Sequence, residues 1–576
     1  MRLPASVRLR SPLLLFLIAV FIYNLNGRTL GGGDSLPARY LPFSIIKEFN
    51  FDFDEFSFLY EPEVPDFLQK RNGHIISTYP PWAAVLAVPV YLVPVLGGLS
   101  PKSPLVPLFE KFAATLITAL SVMVFYLALQ RMTHERVAWL IALIYAFGTS
   151  SFSTSSQALW QHGPSQLFLA LTIYCLVRGL EEPVFSAYAG FALASAVICR
   201  PTNVLIALPI GAYIFHKRRD QLIGFLLATV PPLCFFIAYN NHYFGSPFTT
   251  GFASNVLSPS SIWHGSSGHF STPLLEGVLG VLASPGRGLL IYSPILLFSF
   301  VGMAMVWRKP DQVLLKYLSL APFPIILLTG KWVNWWGSRS YGPRLLADIT
   351  PILCLYLYLP FERAGARALL RYGLAGLSAL SISLHALGAF SDGSWNANPG
   401  IDLNPARLWS WADSPPVYYG RRVPTSVRQV LARYRWIVSG LPTSLQAPQK
   451  LAASYSLISV APGPTLYPHE LLTVHINALN SGGAVWLANS EGGRGAVYLA
   501  WRWMKADQMV TAPSGREFLN FDLFPGRYYD FIVKIAPPQN PGEYILELGL
   551  VSEHVTRFSD QGIDPLQVAI HVATPP

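Results

Sequence analysis

The sequence predicts a polytopic α-helical membrane protein with a C-terminal all-β sandwich, and three observations carry that prediction. Only 12% of its 576 residues are charged, while 52% are hydrophobic, about half the charge of a soluble domain. Apolar runs recur from residue 13 to residue 390 with short basic loops between them, as expected of helices crossing a bilayer. From about residue 461 the hydrophobic period becomes two, the mark of strands with one buried face.

The formal charge of +10 does not concentrate in one patch. Most basic residues lie in loops between apolar runs, where positive-inside topology accounts for them, so nucleic acid is excluded as a partner. Fifteen Trp and 27 Tyr suit aromatic belts at the membrane surfaces. Cys175, Cys199, Cys234 and Cys354 each lie in an apolar run. They lack metal-site spacing or an outer-loop pairing and read as small buried hydrophobes.

In chain order, Arg2, Arg8 and Arg10 precede the apolar run 13–25, read as an uncleaved first helix with a cytoplasmic N-terminus. Residues 27–104 form a long outer loop, acidic at 51–56 and 61–66. Inside it, Pro89 and Pro94 interrupt the apolar run 79–98. Counting that run as a span would put Arg131 and Arg136 outside, so it is assigned to a helix lying on the outer leaflet. Spans are predicted at 107–130, 137–152, 164–177, 184–199, 202–215, 222–239, 288–307, 313–329, 343–360 and 370–390. With the first helix that makes about eleven, several short enough to require tilt or local thinning. The loops at 131–136, 216–219, 308–309 and 363–371 then face the cytoplasm, and the polar insert 240–285 faces outward. Residues 391–460 read as an outer connector. In 461–576, Tyr544, Leu546, Leu548 and Leu550, and likewise Phe531, Val533 and Ile535, alternate with other residues. Turns at Pro525-Gly526 and Pro541-Gly542 complete the pattern of an outward-facing immunoglobulin-like sandwich.

The candidate chemistry begins at 31–40, GGGDSLPARY, read as an active-site loop. Three glycines free the backbone to turn tightly and present Asp34, with Arg39 and Tyr40 behind it. Later outer segments contribute Arg200 in CRPTN, Arg287 in SPGRG, and Lys331, Arg339, Tyr341 and Arg344 in GKWVNWWGSRSYGPR. The Arg and Lys residues among these oppose the positive-inside trend, and an anionic phosphate headgroup would explain them. Each has a plainer alternative. Asp34 could cap a helix, and Asp52, Asp54 and Glu55 are better explained as a solvated acidic loop than as a cation site. His162 is either a phosphate contact or a cap, while Arg200, Arg287 and Arg344 could be snorkelling residues. Lys331, Trp332, Trp335 and Trp336 are as well explained as interface anchors, and Asn240 is a weaker candidate. Trp486, Trp501 and Trp503 favour the sandwich core over sugar stacking.

Taken together, GGGDSLPARY, YPPW, WQHGP, CRPTN, YNNHYFGSPF, SPGRGLLIYSP and WWGSRSYGPR resemble the GT-C superfamily of membrane glycosyltransferases, near the protein O-mannosyltransferases and lipid A aminoarabinose transferases. The resemblance spans about residues 12–390. It implies transfer of a sugar from a polyprenyl-phosphate donor to a protein, lipid or polysaccharide acceptor at the outer face of the bacterial inner membrane. A lipid phosphate leaves as a stabilised anion, so one base suffices and a single displacement inverts the anomeric centre. Asp34 is the expected base, with Arg39, Tyr40, His162, Arg200, Arg287, Arg339, Tyr341 and Arg344 around the donor. Relatives often carry an adjacent acidic pair, but Ser35 follows Asp34 here. No cofactor is expected, and a divalent metal is possible without being indicated. The alternatives are a lipid-linked oligosaccharide polymerase or ligase, and a polysaccharide or lipid transporter. A transporter should show internal repeats and mid-span charges, which the sequence lacks.

Overall fold

The computed structural model describes residues 5–60, 64–103, 105–251, 269–364, 367–391, 394–397, 401–402, 404–424, 427, 430–431, 434, 438–468, 470–488, 494–505, 508–510, 514–519 and 522–574. Residues 61–63 of the acidic loop and 252–268 of the polar insert lie outside the described residues. The chain divides into two compact units, Met1–Arg421 and Arg422–Pro576. The division falls within the stretch read as a connector.

In the first unit, the opening apolar run forms the helix Ala5–Asn24. The glycine-rich stretch is only partly a loop. Pro37, whose fixed φ and missing N–H suit the first turn of a helix, helps to open the helix Leu36–Lys47, so Arg39 and Tyr40 belong to that helix. It packs against the helix Trp82–Leu96, and Phe43 meets Tyr91 edge-on with ring centres 5.7 Å apart. The second helix keeps both of its prolines, buries Ala83, Ala84, Ala87, Tyr91 and Val95, and exposes Leu92, Val93 and Leu96. Between the two helices lies a hairpin that the sequence reading did not foresee, Leu68–Arg71 paired with His74–Ser77. Its turn is Asn72-Gly73, both at positive φ, the geometry that suits the twist of two short strands.

The remaining apolar runs are helical but uneven in length. Among the described residues, Val106–Leu129, Arg219–Phe244, Val313–Lys331 and Ala368–Ala389 are long and apolar enough to cross a membrane. A fifth is added if the bent pair Arg344–Leu355 and Tyr358–Ala364 counts as one span. The others are shorter or broken, for example Glu135–Phe147, Val184–Cys199 and Val204–Lys217. The run 343–360 opens as a 3-10 turn, Arg344–Ile349, before the helix Thr350–Leu355. That irregular backbone holds polar residues within the buried part of the unit.

The second unit is a two-layer β structure. One sheet orders Thr465–Leu466, Leu566–Val572, Gly542–Ser552, Val497–Lys505 and Gln508–Met509, with Gly515–Phe518 and Thr556–Arg557 alongside. The other orders Ala453–Ala461, Leu472–Asn480 and Tyr528–Ile535. The period-two residues point where expected. Tyr544, Leu546, Leu548, Leu550, Phe531, Val533 and Ile535 are all buried in a single core. Trp486 and Trp503 are buried there too, whereas Trp501 is partly exposed. Trp503 also donates Nε1–H to the Ala536 carbonyl at 3.1 Å. Trp503→Ala is therefore expected to cost about 3–5 kcal/mol, from lost burial and the cavity left behind. The check is thermal unfolding of the full-length protein, with Trp501→Ala as the milder comparison.

Candidate active site

Asp34 occupies the turn between the glycines and the helix Leu36–Lys47. Ser35 closes that turn, its Oγ accepting from the Gly32 N–H at 3.2 Å and donating to the Gly32 carbonyl at 3.1 Å. Gly32 lies against Trp160, where a Cβ would come within 2.9 Å of the ring. The same indole donates to the Leu30 carbonyl at 3.1 Å. Trp160 is thus a wall against which the glycine turn is seated, and a side chain at position 32 would displace it.

Asp34 Oδ2 accepts a hydrogen bond from Arg344 Nη1 at 2.7 Å, across 310 residues of sequence. Arg344 is buried. Its guanidinium carbon sits 4.5 Å from the centre of the Trp160 ring, and its Nη2 donates to the Gly337 carbonyl at 3.0 Å. The Tyr79 hydroxyl, from the YPPW motif, also donates to the Asp34 carboxylate. A cleft of about 10 Å³ beside Asp34 is lined by Ala38, Tyr79, Pro81, Leu159 and Gln161, among others, room for about one water.

Burial alone would raise the pKa of the Asp34 carboxyl. Arg344, through charge and hydrogen bond, outweighs burial with help from His162 and Tyr79, and the pKa is lowered from its ordinary value. Burial and then the Asp34 charge push the Tyr79 phenol well above its ordinary range, so Tyr79 stays protonated as a donor. A depressed carboxylate stabilises the fold fully above its unfolded pKa, about 3.9. That stabilisation is lost as pH falls through the lower folded value. Asp34→Asn should therefore remove an acid-side decline in thermal stability that the wild type shows, measurable by following Tm from neutral pH to about pH 3.

Next to this pair is a second buried group. Asp348 Oδ2 lies 3.2 Å from Arg200 Nε and 3.3 Å from His162 Nδ1. Arg200 Nη1 is also within 2.8 Å of both His162 ring nitrogens. His162 thus sits between an acid and a guanidinium rather than acting as a simple helix cap. Asp348 was not singled out from the sequence, although an acid within an apolar run, as in RLLADITP, is the expected signal. Tyr79 carries no local signal beyond the helix start that its YPPW motif marks.

The other expected residues lie elsewhere. Arg39 is buried and bound to Glu110, with Nε and Nη2 at 2.6 and 2.5 Å from Oε2. Glu110 Oε1 accepts the Leu159 N–H at 3.0 Å. Beside it, the buried Lys111 donates to the Ser156 carbonyl and to Gln157 Oε1 at 2.9 and 2.8 Å. Tyr40 packs on Phe56 and Phe58. Arg287 is buried and donates to the carbonyls of Gly286, Trp336 and Ser338 and to Asn396 Oδ1. Tyr341 donates to the Leu384 carbonyl at 2.7 Å and meets the Tyr292 ring edge-on. Arg339 is exposed on the same loop. Asn240 donates to the Pro247 carbonyl at 3.3 Å. In the outer loop, Asp52, Asp54 and His74 bring one potential ligand atom each within 4.8 Å of one another. Glu55 is not part of that group.

No curated protein matches the chain. Among solved structures, ArnT from Cupriavidus metallidurans bound to undecaprenyl phosphate is 14% identical, with a TM-score of 0.40 over 67% of this chain and 76% of its own. The Archaeoglobus fulgidus oligosaccharyltransferase tethered to an acceptor peptide is 14% identical, with a TM-score of 0.43 over 66% of this chain and 55% of its own. The family model described as dolichyl-phosphate-mannose-protein mannosyltransferase matches residues 111–239, the stretch that carries Lys111, Trp160, His162 and Arg200, so the resemblance to the protein O-mannosyltransferases has an independent match over that stretch.

Proposed function

We propose that this protein is a membrane glycosyltransferase that moves a sugar from a polyprenyl-phosphate donor to an acceptor at the outer face of the membrane. The observation that carries the reading is the meeting of Asp34 with Arg344 over Trp160. An acid from the first loop and a cation from far along the chain meet in one site, beside the buried group of Asp348, Arg200 and His162. Asp34 takes the proton from the acceptor hydroxyl as its oxygen attacks the anomeric carbon, inverting that centre. The sugar–phosphate bond breaks, and the electron pair leaves on the lipid phosphate.

The ion pair gives the reaction an order. Held by Arg344, Asp34 is a weak base. The donor phosphate competes for the guanidinium, bidentate contact to phosphate oxygens being a strong suit of arginine. Once Arg344 turns to the phosphate, Asp34 loses its main stabilising partner and becomes more basic. Arg200 and His162 add donors for the leaving anion, and Arg339 is an exposed cation for recruitment. Arg39, Arg287, Tyr40 and Tyr341 support the site through packing and hydrogen bonds. The topology assigned to this reading has about eleven spans, a cytoplasmic N-terminus and an outward-facing site and β unit.

The test is to supply vesicles of the purified protein with a labelled polyprenyl-phosphate sugar and candidate acceptors. Release or transfer of label with inverted anomeric configuration is expected. Movement of intact donor across the bilayer without bond cleavage would replace the enzyme by a transporter.

A further inference from the structure

Away from this chemistry, the helix Leu274–Ala283 and the turn Pro405–Trp409 flank a groove of about 360 Å³. Its lining includes Thr272, Glu276, Trp335, Trp336, Leu408 and Trp409. The Trp335 ring lies flat on Gly280, where a Cβ would come within 2.6 Å of it. Its centre is 5.8 Å from that of Trp336 at 90° and 5.9 Å from that of Trp409 at 56°. The three indoles line this space together, and an electron-rich indole ring attracts a cation. Glu276 precedes Gly280 by one helical turn and so rises on the same face as the Trp335 ring. Glu276 is exposed and, among the described residues, has no ion-pair or hydrogen-bond partner. One carboxylate among three indoles selects an ammonium group.

A cation follows the adjoining helix contact. Gly277 touches the Gly330 backbone so closely that a Cβ would fall 1.7 Å from the Gly330 carbonyl oxygen. Glu276 and Lys331 are the chain neighbours of those two glycines. They flank one helix contact without pairing with each other, and Lys331 also has no partner among the described residues. Leu274, Leu275 and Leu279 on the same helix expose between 47% and 73% of their surface. In a protein of this composition, such leucines lie against hydrocarbon.

We propose that this groove binds the headgroup of a zwitterionic phospholipid, with its ammonium between the indoles against Glu276, its phosphate toward Lys331 and its acyl chains along the exposed leucines. The inference does not depend on the proposed reaction.

The experiment is native mass spectrometry of the full-length protein after exchange into mixed micelles with equal phosphatidylethanolamine and phosphatidylglycerol. The wild type should retain phosphatidylethanolamine about fivefold over phosphatidylglycerol, in line with a partly desolvated cation–π contact. Glu276→Gln, at an exposed position that leaves Tm unchanged, should abolish the preference. Trp409→Ala and Lys331→Ala should each weaken retention. Equal retention of both lipids by the wild type, or an undiminished preference in Glu276→Gln, overturns the proposal. A final arm adds free ethanolamine. Displacement of the lipid at an ethanolamine concentration equal to that of the lipid would assign the groove to a soluble amine, and it too overturns the lipid assignment.

Discussion

Asp34→Asn should lower kcat for sugar transfer by about 10²–10⁴-fold, the usual contribution of a positioned general base. The amide matches the carboxylate in size, so the turn held by Ser35 and Trp160 should survive. What disappears is the proton acceptor and the negative charge paired with Arg344. Arg344 keeps the Gly337 carbonyl and the Trp160 face but no longer has to leave an anion to meet the donor phosphate. Donor affinity should therefore hold or tighten while turnover collapses, a split in which KM falls or stays level as kcat drops. A merely structural Asp34 would give another pattern, with kcat and KM both worse. Full turnover in the Asn variant would remove Asp34 from the chemistry. Arg344→Lys should do the reverse and mainly raise KM, because an ammonium cannot reproduce the bidentate fork.

The largest effect on stability is expected at Glu110. Arg39 and Glu110 are buried to within a few per cent, and the carboxylate also satisfies the Leu159 N–H. Glu110→Ala leaves a guanidinium without its counter-charge in the interior and orphans a backbone donor. Breaking a buried pair on one side costs about 3–5 kcal/mol, a large fraction of the stability of most folds. The variant should be recovered poorly, with Tm reduced well below that of the wild type in the same detergent. Replacing both partners tests the cause. In Arg39→Met with Glu110→Met, the uncompensated charge is gone, so much of the loss should return, leaving mainly the cost of the orphaned Leu159 N–H. If the double variant is no better than Glu110→Ala, the damage comes from lost packing rather than stranded charge.

Much of this was legible in the sequence, for identifiable reasons. Alternation of buried residues along 542–552 and 528–535 is enforced by strand geometry and needs no tertiary context to be read. The glycines before Asp34 and the Gly-Pro before Arg344 mark turns, and turns are where polar side chains gather. What the sequence concealed was partnership. Nothing local to Arg39 indicates that Glu110 will take it, because the partner lies 71 residues away on another helix. Asp348 was hidden for a different reason. Its apolar neighbours suggested a continuous span, and only the 3-10 turn Arg344–Ile349 shows that the backbone there is irregular. Span count was the least legible quantity, since helices of 10–17 residues overlap in length with both broken spans and interfacial helices.

Three consecutive carbonyls, at Trp336, Gly337 and Ser338, are engaged by guanidinium groups, the first and third by Arg287 and the middle one by Arg344. Because every amino acid owns a carbonyl, evolution could exchange the side chain at 336 or 338 without releasing either arginine. Gly337, at a φ of +69°, has less latitude. Inserting one residue there would throw the oxygens out of phase and unseat both cations together. Drift in this stretch should accordingly appear as changes of letter and almost never as changes of length.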